Sequence, residues 1–187
     1  MTIQGIFIAW RGKTAKGVIY AACIPPSRTM DQAELGEKAP DFTLLDAERK
    51  PHSLSEFLGQ NLLIAFYPGA FTSVCTKEMC TFRDSIARFE EMESGVVGIS
   101  VNDPFTLAAF AERNAINFPL LSDYSRGTTN AYHIALNDFA GMEGYTAAKR
   151  SVFIVDRQGI IRYRWVSDDP GVEPDYEEIQ RALGEIE

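Results

Sequence analysis

Cysteine and histidine are scarce in this chain of 187 residues, which has three cysteines, at positions 23, 75 and 80, and two histidines, His52 and His133. No C-x-x-C pair occurs, so neither a zinc framework nor a secreted disulfide scaffold fits. Two scattered histidines do not make a His-rich metal site. Long apolar runs are missing as well: none approaches the roughly 20 residues that a membrane-spanning helix needs. Basic side chains are outnumbered, 18 Lys and Arg against 26 Asp and Glu, for a formal charge of −8. A field of that sign repels phosphate backbones, which argues against nucleic acid as a partner.

What remains is an ordinary core-forming composition. Hydrophobic residues make up 45% and charged residues 24%, which excludes disordered, collagen-like and low-complexity classes. The length suits one domain, with or without an attachment, and a chain of this size buries roughly 70% of its unfolded surface without needing staples. Three thiols in an acidic, core-forming protein point to the reducing cytoplasm, where a cysteine is more often reactive than structural.

The first 30 residues stand apart. Apolar Ile6–Trp10 precedes Arg11, Lys13 and Lys16, and apolar Gly17–Ile24 ends at Pro25-Pro26. This resembles a signal sequence only distantly, because the run is short and Tyr20 stands where a small aliphatic residue is wanted. The expectation is an N-terminal extension or over-long gene start over 1–30 and a functional domain over 31–187. Cys23 then has no evident role.

From there the pattern alternates between strands and helices. Asp41–Leu45 reads as a short strand, Pro51-His52-Ser53 as a turn, and Ser53 or Ser55 as the cap of a helical turn through Leu58. Asn61–Tyr67 is continuously apolar, the mark of a strand buried on both faces. Met79, Phe82, Ile86, Phe89 and Met92 recur at helical spacing and predict one helix from Cys75 to a stop at Gly95. Val96–Val101 is the next buried strand. Asp103 and Pro104 read as N-cap and first residue of another helix, with Leu107, Phe110 and Ala111 inward. Phe118–Leu121 is expected as a strand, Gly127–Ile134 as helix and Gly141–Gly144 as a loop. Arg150–Val155 and Ile160–Val166 form a hairpin about Asp156-Arg157-Gln158-Gly159, and Pro174–Leu183 closes the chain as an amphipathic helix. Early strands joined through helices must be parallel and the late hairpin antiparallel. That order is an α/β, thioredoxin-like three-layer sandwich with a central mixed β-sheet.

The segment Tyr67-Pro68-Gly69-Ala70-Phe71-Thr72-Ser73-Val74-Cys75 joins a buried strand to a helix. It sets Cys75 in the first helical turn, where unpaired backbone N–H groups and the helix dipole favour an anion. For a thiol that anion is the nucleophilic thiolate. Thr72 is close enough to bring its hydroxyl to the sulfur, and Pro68 can wall the pocket without adding an N–H donor. Phe71, Phe139 and Trp165 are large enough to line an apolar pocket, although core or interface packing explains them equally.

Pro68-x-x-x-Thr72-x-x-Cys75 resembles the active-site motif of the peroxiredoxins, thiol peroxidases of thioredoxin fold. The resemblance runs from about Glu34 to Ile186, and includes Gly36-Glu37-Lys38-Ala39-Pro40-Asp41-Phe42 and Lys149–Asp156. It implies that Cys75 is the peroxidatic cysteine, attacking the distal peroxide oxygen to give a sulfenic acid. It implies that Arg150 steadies the thiolate and hydrogen-bonds the peroxide, that Thr72 orients it, and that Glu78 orients an arginine. Cys75-x-x-x-x-Cys80 resembles the bacterioferritin-comigratory, or Q-type, group, in which Cys80 would resolve the sulfenic acid as an intrachain disulfide recycled by a thioredoxin- or glutaredoxin-like donor. Gly144–Arg150 and Trp165–Pro170 are closer to the one-cysteine E-type group, in which an external thiol resolves. A peroxide sensor without efficient turnover is the alternative from another class. No metal, haem or nucleotide cofactor is implied, and monomer and homodimer both fit the resemblance.

Overall fold

The structure is a computed structural model that describes residues 33–186. The expectations for the 1–30 extension and for Cys23 lie outside the described residues. In chain order the elements are β1 (Thr43–Leu45), β2 (Pro51–Ser53), α1 (Leu54–Phe57), β3 (Asn61–Phe66), α2 (Ser73–Asp84), α3 (Ile86–Glu91), β4 (Ser94–Ser100) and α4 (Pro104–Asn114). There follow β5 (Leu120–Ser122), α5 (Gly127–Ala131), β6 (Ala135–Leu136), a 3-10 turn (Phe139–Gly141), β7 (Ala147–Ala148), β8 (Ser151–Val155), β9 (Ile161–Val166) and α6 (Tyr176–Gly184).

Seven strands form one sheet in the order β2-β1-β5-β4-β3-β8-β9. β3, β4 and β5 are parallel, because helices carry the chain back between them, whereas β8 and β9 are antiparallel to their neighbours. The strand period of two divides the core. Leu62, Ile64 and Phe66 of β3 face one apolar cluster with Tyr132, Ile134 and Leu54; Leu63 and Ala65 face the other with Cys75, Met79, Phe82, Phe110 and Ile179. Helices α2, α3, α4 and α6 therefore share one face. The fold is the thioredoxin-like α/β arrangement that the alternation of elements implies.

Local chemistry sets the element ends. Asp103 caps α4 by accepting from Phe105 N and Thr106 N at 3.0 Å each, with Pro104 as first helical residue. Ser53 and Glu56 form a reciprocal capping box on α1. Between β8 and β9, Gly159 takes a φ of +87°, a left-handed conformation that glycine tolerates without a Cβ clash.

Several expectations need correction. Pro51-His52-Ser53 is not a turn but edge strand β2, antiparallel to β1 with Leu44 opposite His52. Proline is tolerated at the first residue of an edge strand because no ladder donor is needed there. The helix foreseen from Cys75 to Gly95 is two helices broken at Ser85, whose N–H reaches back to Thr81 and Phe82 carbonyls while its own carbonyl accepts from Arg88. Gly95 does not stop it. The chain reverses at Met92 and Glu93, the latter at φ +50°, and Gly95 lies within β4 opposite Leu62. A Cβ there would meet only the end of the flexible Gln60 side chain, Nε2 at 2.8 Å, so the position is a strand residue rather than a helix cap. α5 ends at Ala131, short of Ile134. Gly141–Gly144 is a loop as expected, entered from the 3-10 turn that ends at Gly141. What was not foreseen is the pair of short strands flanking it, β6 and β7, which lack a sequence signal because they have two residues each.

Candidate active site

β3 ends at Phe66, and the next six residues carry the chain from the C-terminal end of this interior strand to the first turn of α2. Thr72 is the N-cap residue, with extended backbone, and its carbonyl accepts the first helical bond from Thr76 N at 2.9 Å. The N–H groups of Ser73, Val74 and Cys75 precede that first bond, so they have no intrahelical acceptor. Cys75 is thus the third residue of the helix, 1% exposed, and lines a cleft of about 180 Å³. Ala70 N donates to Asn102 Oδ1 at 2.8 Å, which ties this connection to the end of β4.

Arg150 enters from the end of β8. Phe66 pairs with Ser151 across the β3–β8 ladder, so the residues just beyond the two strand ends emerge side by side. Its guanidinium is 1% exposed. Nη2 donates to Cys75 Sγ at 3.4 Å and to the Pro170 carbonyl at 2.6 Å, Nε donates to the same carbonyl at 3.2 Å, and Nη1 makes a buried ion pair with Glu78 Oε2. Glu78 comes from α2, three residues after Cys75 and so on nearly the same helix face. Its other oxygen, Oε1, has no hydrogen-bond partner among the described residues.

The electrostatics of this pair oppose each other. Burial is the larger influence on Glu78 and pushes its carboxyl up to about 8, against the charge and hydrogen bond of Arg150; Glu173 adds to the rise. For Arg150 burial works against the charge, but Glu78 and Cys75 outweigh it and hold the guanidinium above its ordinary value. An arginine stays charged in either case. The carboxyl is the member that titrates, and its unpartnered oxygen agrees with a disfavoured carboxylate.

Pro68, Thr72, Cys75 and Arg150 line one cleft, with Ser73, Val74, Phe139, Pro170 and Gly171 completing it. Glu78 lies behind the cleft on Arg150. The Thr72 hydroxyl is turned to its own loop, donating to Gly69 O at 3.0 Å, which leaves its lone pairs free to accept. Of the three large side chains considered from the sequence, only Phe139 reaches the cleft. Phe71 is half-exposed and meets Phe110 edge-on with centroids 5.2 Å apart, and Trp165 packs partly buried against the core beside α6. Cys80 is a free thiol, partly exposed, on the same uninterrupted α2 helix. Five helical residues separate the two thiols by a rise of about 7.5 Å.

Sequence reasoning missed Asn102 and the Pro170 carbonyl. The first had a faint signal, an Asn just past a buried strand. The second had none, because a backbone carbonyl has no residue type. Among the described residues no group of three or more metal-ligating side chains comes together, and no helix is long and apolar enough to cross a membrane.

Comparison with known proteins gives a consistent result. The AhpC/TSA family profile matches residues 35–164. Alkyl hydroperoxide reductase E of Mycobacterium tuberculosis is 38% identical over 131 residues, covering 69% of this chain and 82% of that protein. The chloroplastic peroxiredoxin Q of Populus jackii is 35% identical over 127 residues, 68% of this chain and 57% of that protein. Among solved structures, peroxidoxin BcpB from Mycobacterium tuberculosis superposes with a TM-score of 0.68 at 30% identity, covering 80% of this chain and 93% of that one.

Proposed function

The chain belongs to the AhpC/TSA family and is a peroxiredoxin-type thiol peroxidase, and on that premise we propose that Cys75 is its peroxidatic cysteine, with Arg150, Thr72, Pro68 and Glu78 as its supporting site. The observation that carries this reading is the Arg150 Nη2 contact to Cys75 Sγ at 3.4 Å, at the start of a helix and in a cleft sized for a small molecule.

The Cys75 thiolate attacks the distal oxygen of a hydroperoxide. An S–O bond forms, the O–O bond breaks, and its electron pair leaves on the proximal oxygen, which takes a proton from water to become water or an alcohol. The sulfur is oxidised by two electrons to a sulfenic acid. Arg150 stabilises the thiolate and the charge developing on the departing oxygen, assisted by the first-turn N–H groups, while Thr72, whose hydroxyl hydrogen goes to Gly69 O, orients the peroxide by accepting from its O–H. Pro68 walls the cleft with no competing donor. Glu78 holds Arg150 from behind.

Cys80 then resolves the sulfenic acid. Its thiol displaces water and closes a Cys75–Cys80 disulfide, which a thioredoxin- or glutaredoxin-like dithiol reduces by exchange. Disulfide geometry tolerates a Cα separation of only about 7 Å, so α2 must unwind before the bond closes. The intact α2 helix favours a second reading as well, in which an external thiol attacks the sulfenic acid directly.

Rapid-quench oxidation of the reduced protein with hydrogen peroxide tests both levels. Fast oxidation confined to Cys75, lost in Cys75→Ser, is the expected outcome. No faster reaction than a free thiol would sink the peroxidase role of Cys75. Peptide mapping after one equivalent of peroxide separates a Cys75–Cys80 disulfide from a persistent sulfenic acid.

A further inference from the structure

Arg150 is held from one side by a turn that no side-chain motif announces. Nε and Nη2 both donate to the single carbonyl of Pro170, at 3.2 and 2.6 Å. Two parallel N–H groups on one acceptor fix the guanidinium plane in a way one bond does not. The same Nη2 then has its other hydrogen for Cys75 Sγ at 3.4 Å. The direction of the Pro170 carbonyl thus decides where the charge beside the sulfur points.

Proline gives that carbonyl no help through an N–H of its own, so the surrounding turn must aim it. Asp169 braces the turn. Its Oδ1 accepts from Gly171 N at 2.8 Å, spanning Pro170, and its carbonyl accepts from Ser167 Oγ at 2.8 Å and Val172 N at 3.1 Å. Ser167 in turn donates its N–H to the Arg150 carbonyl at 2.9 Å, so the turn is hung from the residue it positions. Asp169 is exposed and touches neither the sulfur nor the guanidinium. Its neighbour Asp168 is the residue that pairs with Lys149.

We propose that Asp169 is a positioning residue of the peroxidase site: by holding the Gly171 N–H it aims the Pro170 carbonyl at Arg150 and keeps the guanidinium beside Cys75. This rests on the peroxidase reading above. Attack on a peroxide needs the guanidinium twice, at the thiolate and at the departing oxygen. Attack on iodoacetamide needs a thiolate but develops no charge on oxygen, so it is less sensitive to where the guanidinium points. Misplacing a positioned group by about 1 Å can cost on the order of 100-fold; loosening a brace is expected to cost less.

The experiment uses the full reduced chain and reads the Cys75 peptide by mass spectrometry, after timed exposure to hydrogen peroxide or to iodoacetamide. Asp169→Ala is expected to slow peroxide oxidation about 10-fold and alkylation by no more than about 3-fold. Asp169→Asn, which keeps an acceptor for Gly171 N–H, is expected to recover at least about half of the wild-type peroxide rate. Ser167→Ala, which removes the other brace of the turn, should shift the ratio of the two rates in the same direction and serves if Asp169→Ala does not fold. An unchanged peroxide rate in Asp169→Ala overturns the proposal. So does an equal fall with both reagents, or an Asp169→Asn protein as slow as Asp169→Ala. Wild-type protein whose Cys75 resists peroxide would instead remove the peroxidase reading on which the proposal stands.

Discussion

Arg150 meets a sulfur, a carboxylate and a carbonyl from within the protein, and a flat, always-charged fork is the side chain that can do all three at once. Lysine could deliver the charge but not the fork. Arg150→Lys is expected to fold, since Glu78 keeps a cationic partner, and to lower the rate of Cys75 oxidation by roughly 100-fold, the scale of losing one donor to a developing oxyanion; rapid-quench kinetics would check it. Arg150→Ala is a poorer probe, because it leaves the buried, protonated carboxyl of Glu78 without its partner, at a cost of about 1–3 kcal/mol of stability. Glu78 carries a different expectation. Its carboxyl sits near 8 when folded against an ordinary 4.5, so between those values the folded state keeps a proton that the unfolded chain has released. Its contribution to stability is fully present below about 4.5 and is lost as pH rises through about 8. Glu78→Gln, which cannot ionise, should flatten that part of the pH dependence of denaturant midpoints. A slope identical to that of the wild type would show that another group is responsible.

At the level of elements, α2 has two demands on it. Its first turn must be ordered for Cys75 to face Arg150, and in the proposed intrachain resolution the same turn must open for Cys80 to reach the sulfur. The break at Ser85 separates this helix from α3, so unwinding can stop there and leave the buried Phe89 in place. Hydrogen exchange after one equivalent of peroxide should therefore show lost protection over residues 73–84 and little change over 86–91, and Cys80→Ser should abolish the loss. Exchange that stays unchanged in the oxidised wild type would point to resolution by an external thiol. Legibility in the sequence follows the same scale. β3, β4, α4 and the β8–β9 hairpin could be read because buried runs, an Asp-Pro cap and a Gly turn are local signals. β2, β6 and β7 could not, since two or three residues at an edge carry no period and exist only through their pairing. The strand-to-helix segment around Cys75 was legible because its residues are consecutive, whereas the hold of Pro170 on Arg150 is made by tertiary approach.

For the molecule as a whole, the family match spans residues 35–164. We propose that residues 31–187 suffice for the chemistry. A chain lacking residues 1–30 is expected to keep its melting temperature within about 2 °C, the shift that a few tenths of a kcal/mol would produce, and its peroxide rate within about twofold. A large fall in either would assign the N-terminal residues to the working protein.

The mixed sheet also dictates the order in which the site comes into being. Arg150 follows Cys75 by 75 residues, and the carbonyl that aims it comes 20 residues later again. At a synthesis rate of about 5–20 residues per second, the thiol exists for several seconds before the arginine proposed to activate it has been made, and β8 must then pair with β3 before the two can meet. A nascent or unfolded chain therefore carries an unactivated cysteine. On the roles proposed for Cys75 and Arg150, the sulfur gains its full reactivity only when the fold is complete, and partly made copies react with the oxidant no faster than a free thiol.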